Sequence, residues 1–189
     1  MKNEGKVFES DFKKSVPEEG DWWFYRFRDG TASWDGGGAA RFQAENLCDC
    51  QISKFPLLYL VELKSTWEPR LPHDKIIGSS GKRIKNVEKM VQAGQKRGIC
   101  AGFVWNCRSK EKTLYIPAAA VLEHITASGR KSIPLEWAQL HGLPLAQRKL
   151  RVHWRYDVEA LLQQLEKAKL LEIFGEGEAW QCGRPWPCS

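Results

Sequence analysis

Residues 47–66, LCDCQISKFPLLYLVELKST, contain an apolar run from Leu57 to Leu63, with Glu62 and Lys64 near its finish. A run of this length, rich in Leu, Tyr and Val, reads as a strand apolar on both faces, which belongs at the centre of a sheet. Glu62 and Lys64, two residues apart, then share one face. An ionised carboxylate at the margin of a core is costly unless it is paired or bound to a metal. With Asp49 upstream, two acids and a lysine meet at one end of a strand pair. Such a set suits phosphodiester cleavage: the acids hold a hard divalent cation through oxygen, the cation activates water and neutralises phosphate charge, and the lysine steadies the developing anion. The tripeptide by itself decides nothing, since Glu-x-Lys also occurs at Glu4 to Lys6. Its context carries the signal: an upstream acid, an otherwise apolar strand, and polar residues confined to its end. Two readings stand, a metal-dependent nuclease site and a structural Glu–Lys pair at a sheet margin.

Around this stretch the chain alternates helical and extended patterns. Val7, Phe8 and Phe12 predict a helix over residues 5–16, stopped by Pro17, with Glu9 beside the apolar stripe. WWFYRF, Trp22 to Phe27, reads as an aromatic strand. Residues 28–45 include Gly36, Gly37 and Gly38 and little apolar content. They read as a mobile excursion from the sheet, either a linker or a loop that takes shape on a substrate with Arg28, Trp34 and Arg41. After the strand pair, WEPRLPHDKIIGSSG reads as a connection across the active end of the sheet. A helix follows over about 82–95, packing through Ile84, Val87, Met90, Val91 and Gly94. Lys82, Arg83, Lys85, Asn86 and Lys89 occupy its other side, either as a solvated face or against phosphates. Strands are expected at Ile99–Cys107 and Thr113–Ile116, and a helix from Pro117 to Thr126. SGRKS, Ser128 to Ser132, forms a basic turn suited to a phosphate through Arg130 and Lys131. Val158, Leu161, Leu162, Leu165 and Ala168 predict an amphipathic helix over 157–171. The order implies an α/β fold, a mixed sheet covered by helices, in one domain over 1–171 with a tail over 172–189.

The net charge of +6 and pI near 9.0 favour an anionic partner. Nine tryptophans could stack on bases or simply fill the core. The six cysteines contain no CxxC pair. Cys48 and Cys50 are expected together on one strand face, opposite Asp49, as small core residues, with all thiols free in a reducing cytoplasm. No apolar run approaches a membrane span, and MKNEGKVFES lacks the apolar region of a signal peptide. A cytoplasmic protein without a membrane partner is expected.

The opening GKVFESDF, the spacing of Asp49, Glu62 and Lys64 followed by Ser65 and Thr66, the segment KMVQAGQKRGIC, and GRKSI at Gly129 to Ile133 together resemble the RecU-type Holliday junction resolvases. These enzymes of Gram-positive bacteria and their phages belong to the PD-(D/E)xK nuclease superfamily. The likeness runs in order from about Gly5 to Leu165. It implies a restriction-endonuclease-like fold and a homodimer that nicks opposite strands of four-way DNA junctions with Mg²⁺, or Mn²⁺ in its place. Asp49 and Glu62 match the metal-binding acids, Lys64 the catalytic lysine, and Glu9 the acid of the first helix that helps organise the site. Lys82, Arg83, Lys85, Lys89, Arg130 and Lys131 would track the DNA backbone, Asn86 would hydrogen-bond a water or phosphate, and Trp34 with the glycine-rich, stalk-like loop, which Arg28 and Arg41 help to take shape on the substrate, would enter the branch point. The chain departs from the family at Asn86, where a longer glutamine is usual, at Cys48, where a threonine is usual, and in the shorter stalk of about 28–45. Three other readings remain: a junction-binding protein without cleavage, a related nuclease cutting linear or other branched DNA, and, last, a zinc-bound interaction module.

Overall fold

The computed structural model describes residues 4–27 and 46–174. The expectations placed on Arg28, Trp34, Arg41, the stalk-like loop and most of the tail lie outside the described residues. In order the elements are α1 (Glu4–Lys13), β1 (Trp23–Arg26), β2 (Cys50–Lys54), β3 (Leu57–Thr66), β4 (Arg70–Pro72), α2 (His73–Ile77), α3 (Ile84–Gly94), β5 (Ile99–Cys107), β6 (Lys112–Pro117), α4 (Ala118–Ala127), β7 (Ser132–Pro134), α5 (Leu135–His141), β8 (Leu143–Leu145), β9 (Gln147–Lys149), β10 (Trp154–Tyr156) and α6 (Val158–Phe174).

Six strands form one mixed sheet in the order β1-β2-β3-β5-β6-β8. Its neighbours pair antiparallel except β3 and β5, which run parallel. A parallel pair needs a crossover, and α2 and α3 supply it. The doubly apolar strand β3 therefore takes the interior position that its composition demands. Leu57, Tyr59, Val61 and Leu63 pack with Phe8 and Phe12 of α1 and with Leu161, Leu162 and Leu165 of α6. Leu58 and Leu60 face the other way, toward Val87 and Met90 of α3 and Val121 of α4. Each such buried aliphatic side chain contributes about 1.5–3 kcal/mol. The α/β mixed sheet with helices on both faces is the architecture expected from the sequence.

Three local expectations change. Cys48 and Cys50 do not share a face: Cys50 packs on the α1 and α6 side, Cys48 on the α3 side. Residues 47–49 form a bend ahead of β2, so the period of two does not extend back to Cys48. The connection after β3 is partly ordered into β4 and α2, and β4 pairs antiparallel with β7. Lys82 and Arg83 precede α3 rather than opening it. Among the described residues no helix is long and apolar enough to cross a membrane.

Candidate active site

The bend before β2 and the antiparallel register of β2 with β3 build the site. Cys50 pairs with Val61, so Asp49 comes alongside Glu62. Asp49 Oδ2 accepts the backbone N–H of Leu63 at 2.7 Å. Asp49 lies close enough to Glu62 for its charge to raise the Glu62 pKa. Lys64, two residues on and on the same face, pairs its ammonium with Glu62 Oε1. The side chains of Lys64 and Glu62 are 17% and 19% exposed, so the group is largely dry yet open at one edge. The three residues singled out in the sequence converge.

Burial pushes the Glu62 carboxyl above its ordinary range; the Lys64 charge opposes this and the Asp49 charge adds to it. Two carboxylates pressed together at a dry edge favour a cation between them. Among the described residues no group of three or more His, Cys, Asp or Glu is placed to hold a metal, so two carboxylates are what these residues supply. That donor set fits magnesium, which takes one or two carboxylates, keeps several waters and binds substrate phosphate. The neighbouring thiols do not compete: Cys48 is pushed up to about 12 and Cys50 well above its usual value, in both cases chiefly by burial. Such thiols are inert.

Glu9 is placed differently from Asp49 and Glu62. Its carboxylate pairs with Arg26 of β1. Arg26 is registered with Cys50, whose side chain belongs to the α1 face of the sheet, whereas Glu62 and Lys64 project on the α3 face. The acid of α1 that points inward is Asp11, 1% exposed. It accepts hydrogen bonds from His153 Nδ1 at 2.8 Å and from the Trp154 N–H at 2.9 Å, tying α1 to the segment that enters α6.

The expected DNA contacts fall in the layer on the α3 side. Lys82, Arg83, Lys85 and Lys89 are exposed at the start and outer side of α3, and Asn86 is half-buried. Arg130 and Lys131 are exposed on the turn between α4 and β7. That turn hangs on a histidine pair that no sequence pattern joins. His73 Nε2 and His124 Nδ1 lie 3.1 Å apart and buried. The His73 N–H donates to the Lys131 carbonyl at 2.9 Å, Ser128 Oγ lies 3.4 Å from His124 Nδ1, and the Arg130 N–H donates to Ser128 Oγ at 3.2 Å.

The end of β3 beyond Lys64 is also fixed by side-chain hydrogen bonds that the sequence does not show. Trp105 Nε1 donates to Thr66 Oγ1 at 2.9 Å, and Thr66 Oγ1 donates to the Glu68 carbonyl at 2.8 Å. Asn106 Nδ2 donates to Thr113 Oγ1 at 2.8 Å. A buried, satisfied polar network of this kind rigidifies the strand end that carries the site. Its signal was the placing of Thr66 and Asn106 at the ends of apolar runs.

No protein-family model matches the chain. It is 28% identical over 180 residues to the SPbeta prophage-derived uncharacterized protein YotM of Bacillus subtilis (strain 168), covering 87% of this chain and 88% of that one. Among solved structures it is similar to Hjc, a Holliday junction resolvase of Archaeoglobus fulgidus, with a TM-score of 0.39 and 16% identity, over 66% of this chain and 83% of that one. What the chain does has to be read from its own side chains.

Proposed function

We propose that the protein is a divalent-metal-dependent endodeoxyribonuclease that resolves four-way DNA junctions by paired nicks. The observation that carries this reading is the Asp49 and Glu62 carboxylates brought together at the end of β3, with the Lys64 ammonium on the same face. Asp49 and Glu62 would hold Mg²⁺ or Mn²⁺, which when bound supplies an activated water and neutralises phosphate charge. Lys64, with three donors and one of them on Glu62, has donors left for a phosphate oxygen and for the charge that grows on it. The exposed cations of α3 and of the turn before β7 lie in the layer on the same side of the sheet, where they would track the phosphate backbone. Two equivalent cuts in a symmetric junction call for two equivalent sites, hence a homodimer. Glu9, held by Arg26, would act on the site from behind, through the strand that carries Arg26.

One observation favours binding without cleavage. Cys48 stands where the resolvases that the sequence resembles carry a threonine, and its thiol is buried and turned to the Cys50 carbonyl at 3.3 Å, so no hydroxyl serves a metal or phosphate there.

Incubating the protein and Mg²⁺ with an end-labelled four-way junction and with linear duplex of the same sequence separates these readings. Symmetric nicks in the junction and an intact duplex are expected. Equal cutting of both would make it a nuclease of another specificity, and junction binding without nicks in any divalent metal would leave it a binding protein.

A further inference from the structure

Trp23, Tyr25 and Phe27 alternate onto one face of the sheet's edge strand. The opposite face of β1 is committed to the core, where Phe24 packs against the α1 and α6 side. Trp23 and Tyr25 remain 51% and 45% exposed, although their rings are ordered: they stack at 5.7 Å and 11°. Tyr25 meets Phe27 edge-on at 5.2 Å, and Phe27 is tucked against the α3-side core. The register carries this row to the acids. Tyr25 pairs with Gln51 and Arg26 with Cys50, and the Phe27 N–H donates to the Asp49 carbonyl at 3.0 Å.

We propose that Trp23 and Tyr25 form a stacking platform for unpaired DNA bases beside the phosphate that Asp49, Glu62 and Lys64 address. The inference rests on the nuclease reading and deepens it. Strands rise about 3.4 Å per residue and lie about 4.8 Å apart, so Tyr25 sits roughly 8 Å from Asp49. At a rise of about 3.4 Å per nucleotide, that is about two nucleotides from the scissile position. Branched DNA offers unstacked bases at its crossing, and every base has a face that an aromatic ring can take regardless of sequence. The chain's net charge of +6 favours an anionic partner. A second copy of the chain is a poorer occupant: two half-exposed rings offer about 200 Å² between them, against about 800 Å² per partner in a stable interface.

The test uses the full chain and four-way junctions carrying 2-aminopurine singly at each position within three nucleotides of the branch point, with Ca²⁺ in place of Mg²⁺. Binding by the wild type should change the emission of one or two of these probes. In W23A/Y25A that change should vanish and affinity should fall about tenfold or more, with the circular dichroism spectrum unchanged, while W23F/Y25F keeps both. Y25A alone should lose part of the signal and serves if the double variant does not fold. Wild-type emission and affinity in folded W23A/Y25A or Y25A overturn the platform and leave the nuclease reading standing. A monomeric W23A/Y25A beside a dimeric wild type, with emission per bound junction preserved, assigns the rings to a second copy and overturns it too. A wild type that binds no junction ends the junction-resolving reading and the platform with it.

Discussion

Asp49 is held beside Glu62: its carboxylate accepts the N–H of Leu63, the residue that follows Glu62. Asp49 is thus fixed by the strand that carries Glu62, which preorganises the pair before any ligand arrives. The arrangement also sets the ionisation of Glu62. Burial raises its pKa, Asp49 raises it further and Lys64 restrains it. Asp49→Asn should therefore lower the Glu62 pKa, and Lys64→Met should raise it. Titrating the Glu62 carboxyl carbon by NMR in metal-free protein reads both shifts. Affinity for Mg²⁺ should fall on acidification at a higher pH than it would for an ordinary glutamate, because protonated Glu62 is a poor ligand.

His73 and His124 are both held below the ordinary histidine value, chiefly by burial. The unfolded chain takes up their protons near the ordinary value of 6.5 while the folded chain resists. Their contribution to stability is therefore complete above that pH and is lost as pH falls through the lowered folded values. Urea midpoints measured from pH 7.5 to 5 should decline toward acid, and the decline should be shallower in His124→Phe. An equal decline in both proteins would remove the pair as its cause.

Asp11 carries two hydrogen bonds in a fully buried position. Asp11→Ala leaves the Trp154 N–H without its acceptor and should cost about 2–4 kcal/mol, read from denaturant unfolding. His153→Ala should cost less, since the His153 side chain is 49% exposed.

These positions mark how far the sequence could be read. β3 was legible because a strand apolar on both faces has one place to go, and its two charged residues, Glu62 and Lys64, located the site. Asp11 lay in the pattern unread: with Phe8 and Phe12 it occupies the i, i+3, i+4 stripe that faces inward, and Glu9 falls beside it. The His73–His124 contact spans residues 51 apart and leaves no local trace. Elements of three residues such as β8, β9 and β10 are too short to show a period. Cys48 departs from the expected face because a bend, which alternation cannot register, separates it from β2.

The cations at Lys82, Arg83, Lys85 and Lys89 are predicted to bind phosphate rather than bases. Replacing all four with glutamine should weaken binding of every junction sequence alike. It should also flatten the dependence of log affinity on log salt by about 0.9 for each phosphate no longer neutralised. A change in sequence preference with an unaltered salt slope would argue against phosphate contact.

The most direct measurement is the single-turnover nicking rate of a four-way junction in Mg²⁺ by the wild type and by Asp49→Asn, Glu62→Gln and Lys64→Met, at protein concentrations that saturate the DNA. Asp49, Glu62 and Lys64 acting as one catalytic group predicts that each variant binds the junction and loses nicking by a factor of about 10² or more. Undiminished nicking by Asp49→Asn or Glu62→Gln would contradict it.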